Sequence, residues 1–364
     1  MAASDPKWIN ADGGSPAYAA VELRRLDGAA WWKGGEADRL GARAGVLPGG
    51  SAVLSLSGTT VTVRDLQAVV YPGLTATSGP YTVAHLEETH ELDPADVTNA
   101  RVDIVVLRVY DDDEDSSGDR EAVTELITGT PAGSPTAPST PAGAVRLGFI
   151  DVPASGGGDP TLTVDAPWTV AAGGILPVRT DAELTGASSG LHDGAMRWRQ
   201  DAGVLEVHNG SSTWTEIARR TVPRARLRRT AGQAITNNTD TTVDWNAEDW
   251  DTAAGHDNGT NPSRYTATVA GFYRVEARVQ WEFDTTGRRM AWLWLNGSSV
   301  VGSRQIDEPG TNETWCTPTA ATVQLSVGDY VEVRVAQTSG GDLDVQGGTT
   351  QASSTLTVDY LGPL

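Results

Sequence analysis

The sequence predicts a mainly β protein: an N-terminal β domain carrying one short helix, a hairpin neck, and a C-terminal β-sandwich. Three observations lead there. Glycine contributes 41 of the 364 residues, beside abundant Thr, Ser and Val, a mixture that favours short strands and turns over helices. Apolar residues recur with period two in short runs bounded by Gly, Asp and Asn. The best helical candidate is a single stretch, 17–44. A chain this long accommodates about two domains.

In the helical stretch, Ala19, Leu23 and Leu26 fall on one face, and Ser15-Pro16 is a start signal. Gly34-Gly35 breaks the run after Trp31-Trp32. Strands follow from Gly45 onward. Residues 52–56 and 60–63 flank the Ser57-Gly58 turn as a hairpin. Residues 68–71 and 81–84 are two more. Residues 102–110 form a near-continuous apolar run, as in a strand covered on both faces. Residues 122–127 and 145–152 complete the first domain, 1–153. Between them, 129–143 holds Pro131, Pro135, Pro138 and Pro141, which cannot donate to a ladder. An extended crossover between two strands is the expected form.

The neck, 154–222, contains Gly156-Gly157-Gly158 and then a hairpin from Met196, turning at Asp201-Ala202-Gly203 and at Asn209-Gly210, with Trp214 closing it. An isolated hairpin is marginal in water, so it needs a neighbour. Residues 223–364 hold eight strand candidates: 241–245, 264–269, 271–281, 290–295, 299–304, 314–325, 329–337 and 355–360. With turns at Asn296-Gly297 and Gly328-Asp329, they fit a β-sandwich. The runs 271–281 and 329–337 show apolar residues on both faces in places, which asks for cover from a second subunit as well as from the facing sheet.

Composition excludes several function classes. The net charge is −20 and lysine is nearly absent (Lys7 and Lys33), so nucleic acid is not an expected partner. Cys316 is the single cysteine, so no intrachain disulfide forms. No apolar run approaches the roughly 20 residues of a membrane-spanning helix. The first residues lack the basic and apolar regions of a signal peptide, which predicts synthesis in a cytoplasm.

Four constellations bear on chemistry. Gly186-Ala187-Ser188-Ser189-Gly190 fits G-x-S-x-G, but it lies among Thr, Gly and Ser without the strand and helix a nucleophile elbow needs. His85 and His90 superficially resemble a zinc helix, but five residues separate them, and on one strand they face opposite ways. Asp111, Asp113 and Asp115 resemble the first ligands of a calcium loop, but Ser116 stands where Gly is required and Ala122 where Glu is. A solvated hairpin tip is the plain reading, and weak cation binding the alternative. Finally, Trp245, Trp250, Trp281, Trp292, Trp294 and Trp315 crowd the last domain. Trp292 and Trp294 share a strand face and suit a core or an interface. Trp245 and Trp250, in a predicted loop at 244–251, are the expected exposed pair, with Asp249 beside them to bind polyol hydroxyls of a glycan. No catalytic residue and no cofactor is expected.

The segments Tyr265-Thr266-Ala267-Thr268-Val269-Ala270-Gly271-Phe272-Tyr273-Arg274-Val275 and Leu325-Ser326-Val327-Gly328-Asp329-Tyr330-Val331-Glu332-Val333 resemble the jelly roll of the C1q and tumour-necrosis-factor type. The resemblance implies a jelly-roll sandwich and a homotrimer. No collagen-like repeat precedes it, so the eukaryotic C1q role is not implied. Glu22-Leu23-Arg24-Arg25, Trp31-Trp32, 41–46, Val70-Tyr71-Pro72-Gly73, 98–103 and Gly129-Thr130-Pro131 resemble the adaptor region of actinobacteriophage minor tail or baseplate proteins. The hairpin of 196–214 is similar to units in phage fibres. Together these imply a virion protein: 1–153 attaching to other tail proteins, 154–222 a neck, and 223–364 facing a host cell-surface glycan. A purely architectural trimerising or capping component is the alternative. A cell-wall depolymerase is the rival from another class, but it needs paired carboxylates in a groove, usually on a solenoid absent here.

Overall fold

The computed structural model describes residues 20–33, 41–71, 78–184, 191–308, 316–348 and 353–364. Its contacts divide the chain into two units, Met1–Arg219 and Arg220–Leu364. The structure is mainly β, as the sequence predicts.

In the first unit the helix spans Ala20–Asp27 and a 3-10 turn follows at Gly28–Ala30. Of the rest of the expected helical stretch, 31–33 and 41–44 are not helical, and 17–19 and 34–40 lie outside the described residues. Leu54–Ser57 pairs with Thr60–Val63 as the predicted hairpin, and Glu88–Glu91 adds to its open side. The central element is Arg101–Asp111, buried without a break from Arg101 to Leu107. Arg120–Ile127 lies antiparallel on one side of it and Ala144–Val152 antiparallel on the other. The proline-rich segment therefore crosses from one flank of the central strand to the other, as expected of chain that cannot join a ladder.

The crossover is held by buried charge. Asp103 is fully buried, and its Oδ1 accepts from the Gly129 backbone N–H at 2.8 Å and from Arg101 Nε at 3.0 Å. Arg101 Nη1 and Nη2 donate to the carbonyls of Pro94 and Asp93, at 2.8 and 2.6 Å. Val105, Leu107, Leu147 and Ile150 form the core here with Val61 and Val63 of the hairpin.

The segment expected as a separate neck divides differently in the structure. Its hairpin, Asp193–Arg199 with Val204–Asn209, is extended by Trp214–Arg219 and by Leu176–Val178, which pairs in parallel. Trp32 packs with Leu176, Val178, Leu184, Leu191 and Ala195, so 154–219 shares a core with the first unit's N-terminal residues. The neighbour that an isolated hairpin lacks is supplied by these flanking strands and by an indole far away in sequence.

In the second unit two sheets face each other across one core. The first has the order Ala247–Asp251, Arg224–Arg228, Thr355–Gly362, Gly271–Gln280, Cys316–Leu325. The second has Thr241–Thr242, Tyr330–Gln337, Arg289–Leu295, Ser298–Ser299. With the edge strand Ala247–Asp251 set aside, the eight other strands just given fall, in chain order, as first, last, third and sixth in one sheet and second, seventh, fourth and fifth in the other, which is the strand order of a jelly roll. Trp281, Tyr265, Tyr273, Val275, Val333 and Val335 lie in the core. Asn296-Gly297, with φ of 49° and 80°, makes the tight hairpin turn the sequence predicts.

Two expectations are corrected here. Gly271–Gln280 alternates in burial from Gly271 to Arg278, and its outer face is mostly charged, with Arg274, Glu276 and Arg278 following an exposed Phe272. Tyr330–Gln337, by contrast, has buried residues on both faces. The predicted loop at 244–251 contains an edge strand, Ala247–Asp251, paired to Arg224–Arg228.

Candidate functional site

Of the residues expected to bind a glycan, the structure brings two together and removes one. Trp245 is fully buried. Its backbone N–H donates to the Pro262 carbonyl at 2.8 Å, and its own carbonyl lies 3.1 Å from His256 Nε2. An indole surrounded by Tyr265, Val243 and Val333 in the core cannot stack on a sugar. The expectation failed because acidic neighbours signal exposure for the segment as a whole, and an alternating chain still turns every second side chain inward.

Trp250 and Asp249 are neighbours in sequence, and in a regular strand they would point apart. A bulge opposite Arg226 and Leu227 inserts one residue, so both turn to the outer face. Trp250 is 41% exposed, with the Arg226 guanidinium 5.7 Å from its ring centre. Asp249 bridges Arg226 at 3.4 Å and Arg228 at 2.8 Å. Exposed pairs of this kind add little stability. Their effect is to hold a carboxylate and an indole side by side at a sheet edge.

The acidic tip is occupied by its own chain. Asp112–Asp115 winds one helical turn capped by Asp111, whose side chain accepts from Asp113 N–H. Asp111 also takes the Tyr81 hydroxyl at 2.9 Å and lies 3.3 Å from Arg24. Asp113 pairs with Arg120 at 3.0 Å. Asp115 accepts from the Ser117 hydroxyl and N–H, which hold its carboxyl below the usual carboxylate range.

His85 and His90 do not face opposite ways as expected, because a turn puts them on two strands, Tyr81–His85 and Glu88–Glu91. Both approach Glu88 Oε2, at 3.5 and 4.0 Å. The Thr124 hydroxyl donates to that oxygen and lies 2.7 Å from His90 Nε2. Among the described residues no group of three or more His, Cys, Asp or Glu could hold a metal ion. The G-x-S-x-G stretch lies outside the described residues, as does Trp315.

Sequence reasoning missed a second arrangement, on the outer face of the other sheet. Trp292 sits opposite Arg334, and Trp294 opposite Glu332. The Arg334 guanidinium lies 3.8 Å over the Trp294 ring, and Arg304 lies 5.3 Å over Trp292. Arg264 lies 3.9 Å over Tyr330 and pairs with Glu332 at 3.0 Å. The signal present in the sequence was the i, i+2 tryptophan pair; the arginines come from 10 and 40 or more residues away.

No protein-family model matches the chain, and no curated protein matches it. Solved structures similar to it include the globular domain of zebrafish complement 1qA protein, at 15% identity over 39% of this chain and 99% of that one, with a TM-score of 0.30. Murine APRIL at pH 8.0 is similar at 14% identity over 38% and 98%, TM-score 0.30. Eiger TNF from S. frugiperda is similar at 16% identity over 40% and 96%, TM-score 0.30. The jelly-roll assignment stands on the strand order and shared core of residues 220–364. No helix among the described residues is long and apolar enough to cross a membrane.

Proposed function

We propose that the chain is a structural protein of a bacteriophage virion, in a tail tip, baseplate or fibre, and that it binds rather than catalyses. Its first unit docks to other tail proteins, and its jelly roll, assembled as a homotrimer, contacts a glycan on the host surface. The order of parts in the sequence supports the phage reading. The observation that carries recognition is the Trp250–Asp249 pair on the outer face: an exposed indole can cover the apolar face of a sugar ring while the carboxylate accepts from hydroxyls. Phe272 and Leu361, exposed at the end of the same sheet, support contact between copies.

The test uses the full chain. Native mass spectrometry is expected to give three copies. Pulldown on host cell-wall glycan is expected to retain the wild type and to lose Trp250→Ala. A monomer, or retention unchanged in Trp250→Ala, defeats the corresponding half of the reading. Release of sugar from the cell wall would return the depolymerase.

A further inference from the structure

We propose that Arg304 and Arg334 form an oxyanion-binding site that takes the carboxylate or phosphate groups of an acidic saccharide polymer. The site lies on the outer face of the sheet containing Arg289–Leu295 and Tyr330–Gln337. It deepens the host-surface reading by naming the charge class of the polymer, and it is separate from Trp250, which stands on the other sheet.

Four observations lead to it. First, charge: the chain carries −20, and the arginines around this face are otherwise matched to acids. Arg264 has Glu332, and Arg288 has Glu308. Arg304 and Arg334 have no carboxylate partner among the described residues; their contacts are the rings of Trp292 and Trp294 and, for Arg304, the Met290 sulfur at 3.1 Å. Second, unmet donors: Arg334 Nε and Trp294 Nε1 are both buried without a hydrogen-bond partner. Arg334 as a whole is half-buried, and its terminal N–H groups donate to no described residue, so they are left for an acceptor from outside the fold.

Third, geometry. A guanidinium held against an indole uses the ring for support and leaves N–H groups to meet an oxyanion in pairs. Stacking also removes much of the side-chain freedom that binding would otherwise cost. Fourth, spacing. The two supporting indoles are two residues apart on one strand, about 7 Å. Two cations so placed suit successive anionic groups along a polymer. Trp292 is covered (6% exposed) and Trp294 is half-buried beneath Arg334, so this site reads charge and leaves sugar stacking to other residues.

The test measures binding of the full chain to polygalacturonate, to poly(glycerol phosphate), to neutral dextran and to inorganic phosphate, at low salt. One or both acidic polymers are expected to bind, and dextran not at all through this face. Arg304→Gln and Arg334→Gln should each weaken acidic-polymer binding about tenfold, and the double variant should abolish it. Arg334→Lys, which keeps the charge, should retain most of it. Far-UV circular dichroism and the melting midpoint of each variant should match the wild type. The arginine variants are read on the defined acidic polymers and Trp250→Ala by pulldown on cell-wall glycan, so the failure of one site is told from the failure of the other. The proposal is overturned if neither acidic polymer binds, or if the double variant binds as the wild type does. It is also overturned if inorganic phosphate alone binds as tightly as the polymers. A native mass altered by the double variant overturns it too, because the face would then be an interface between copies.

Discussion

Replacing Trp245 by alanine tests where the second unit's core lies. The indole is fully buried among Tyr265, Val243 and Val333, so the substitution opens a cavity the size of an aromatic ring. Such losses cost about 3–5 kcal/mol. With a urea slope of roughly 2 kcal/mol per molar, the midpoint of the second unit's transition drops by about 2 M. The melting temperature falls by about 8–16 °C. Trp245 Nε1 is buried without a partner, so the native indole already carries an unmet donor. Trp245→Phe removes that donor and refills most of the space, and costs only about 1 kcal/mol as the two effects offset. Calorimetry on the full chain resolves the result, because two units with separate cores need not melt together. The change should fall in one transition and leave the other in place. An alanine variant that melts with the wild type but loses glycan binding would refute the core placement and restore Trp245 to the surface.

Asp103→Asn removes a buried charge and leaves Arg101 uncompensated, at a cost of about 3–5 kcal/mol to the first unit in urea unfolding; an unchanged midpoint would show that the carbonyls of Asp93 and Pro94 alone satisfy the guanidinium. Burial first of all pushes the Tyr265 phenol above its ordinary range, and burial together with the Asp111 hydrogen bond does the same to Tyr81. The folded state therefore favours the protonated phenols, and the stability they contribute is present below about pH 10 and lost as the pH rises through their folded values. Absorbance at 295 nm should show these phenols ionising only as the protein unfolds. Reversible titration of all eight tyrosines near pH 10 with unchanged circular dichroism would contradict this.

Strand existence was legible where burial is simple. The hairpin at 54–63 and Gly271–Gln280 follow from period-two patterning, and the strand at 101–111 from its continuous apolar run. What escaped was chain whose partner lies far away. Arg224–Arg228 alternates Arg with Ala and Leu over five residues, and it becomes a strand because Thr355–Gly362 and Ala247–Asp251 flank it. Gln233–Ile235 and Leu343–Val345 are three residues each; they pair with one another, and Val345 also bridges to Trp281. Neither could be distinguished from loop by periodicity. The site was less legible than the fold. Exposure of Trp250 and burial of Trp245 differ through strand phase and a bulge, and neither is written in composition. The histidines were misplaced for the same reason, since Leu86-Glu87 turns the chain between them.

The proline-rich strap from Thr128 to Gly143 affects the unfolded chain as much as the folded one. A Cβ at Gly129 would stand 2.0 Å from the Val102 carbonyl oxygen, so the strap starts flush against the strand it must cross. Its four prolines have few conformations to lose on folding. Closing a flexible loop of this length would carry a larger entropic penalty before Ala144–Val152 could reach Arg101–Asp111. A strap already extended in the denatured ensemble shortens that search. The hairpin of Arg101–Asp111 and Arg120–Ile127 can zip locally first, and the third strand is then delivered to the free flank by chain stiffness.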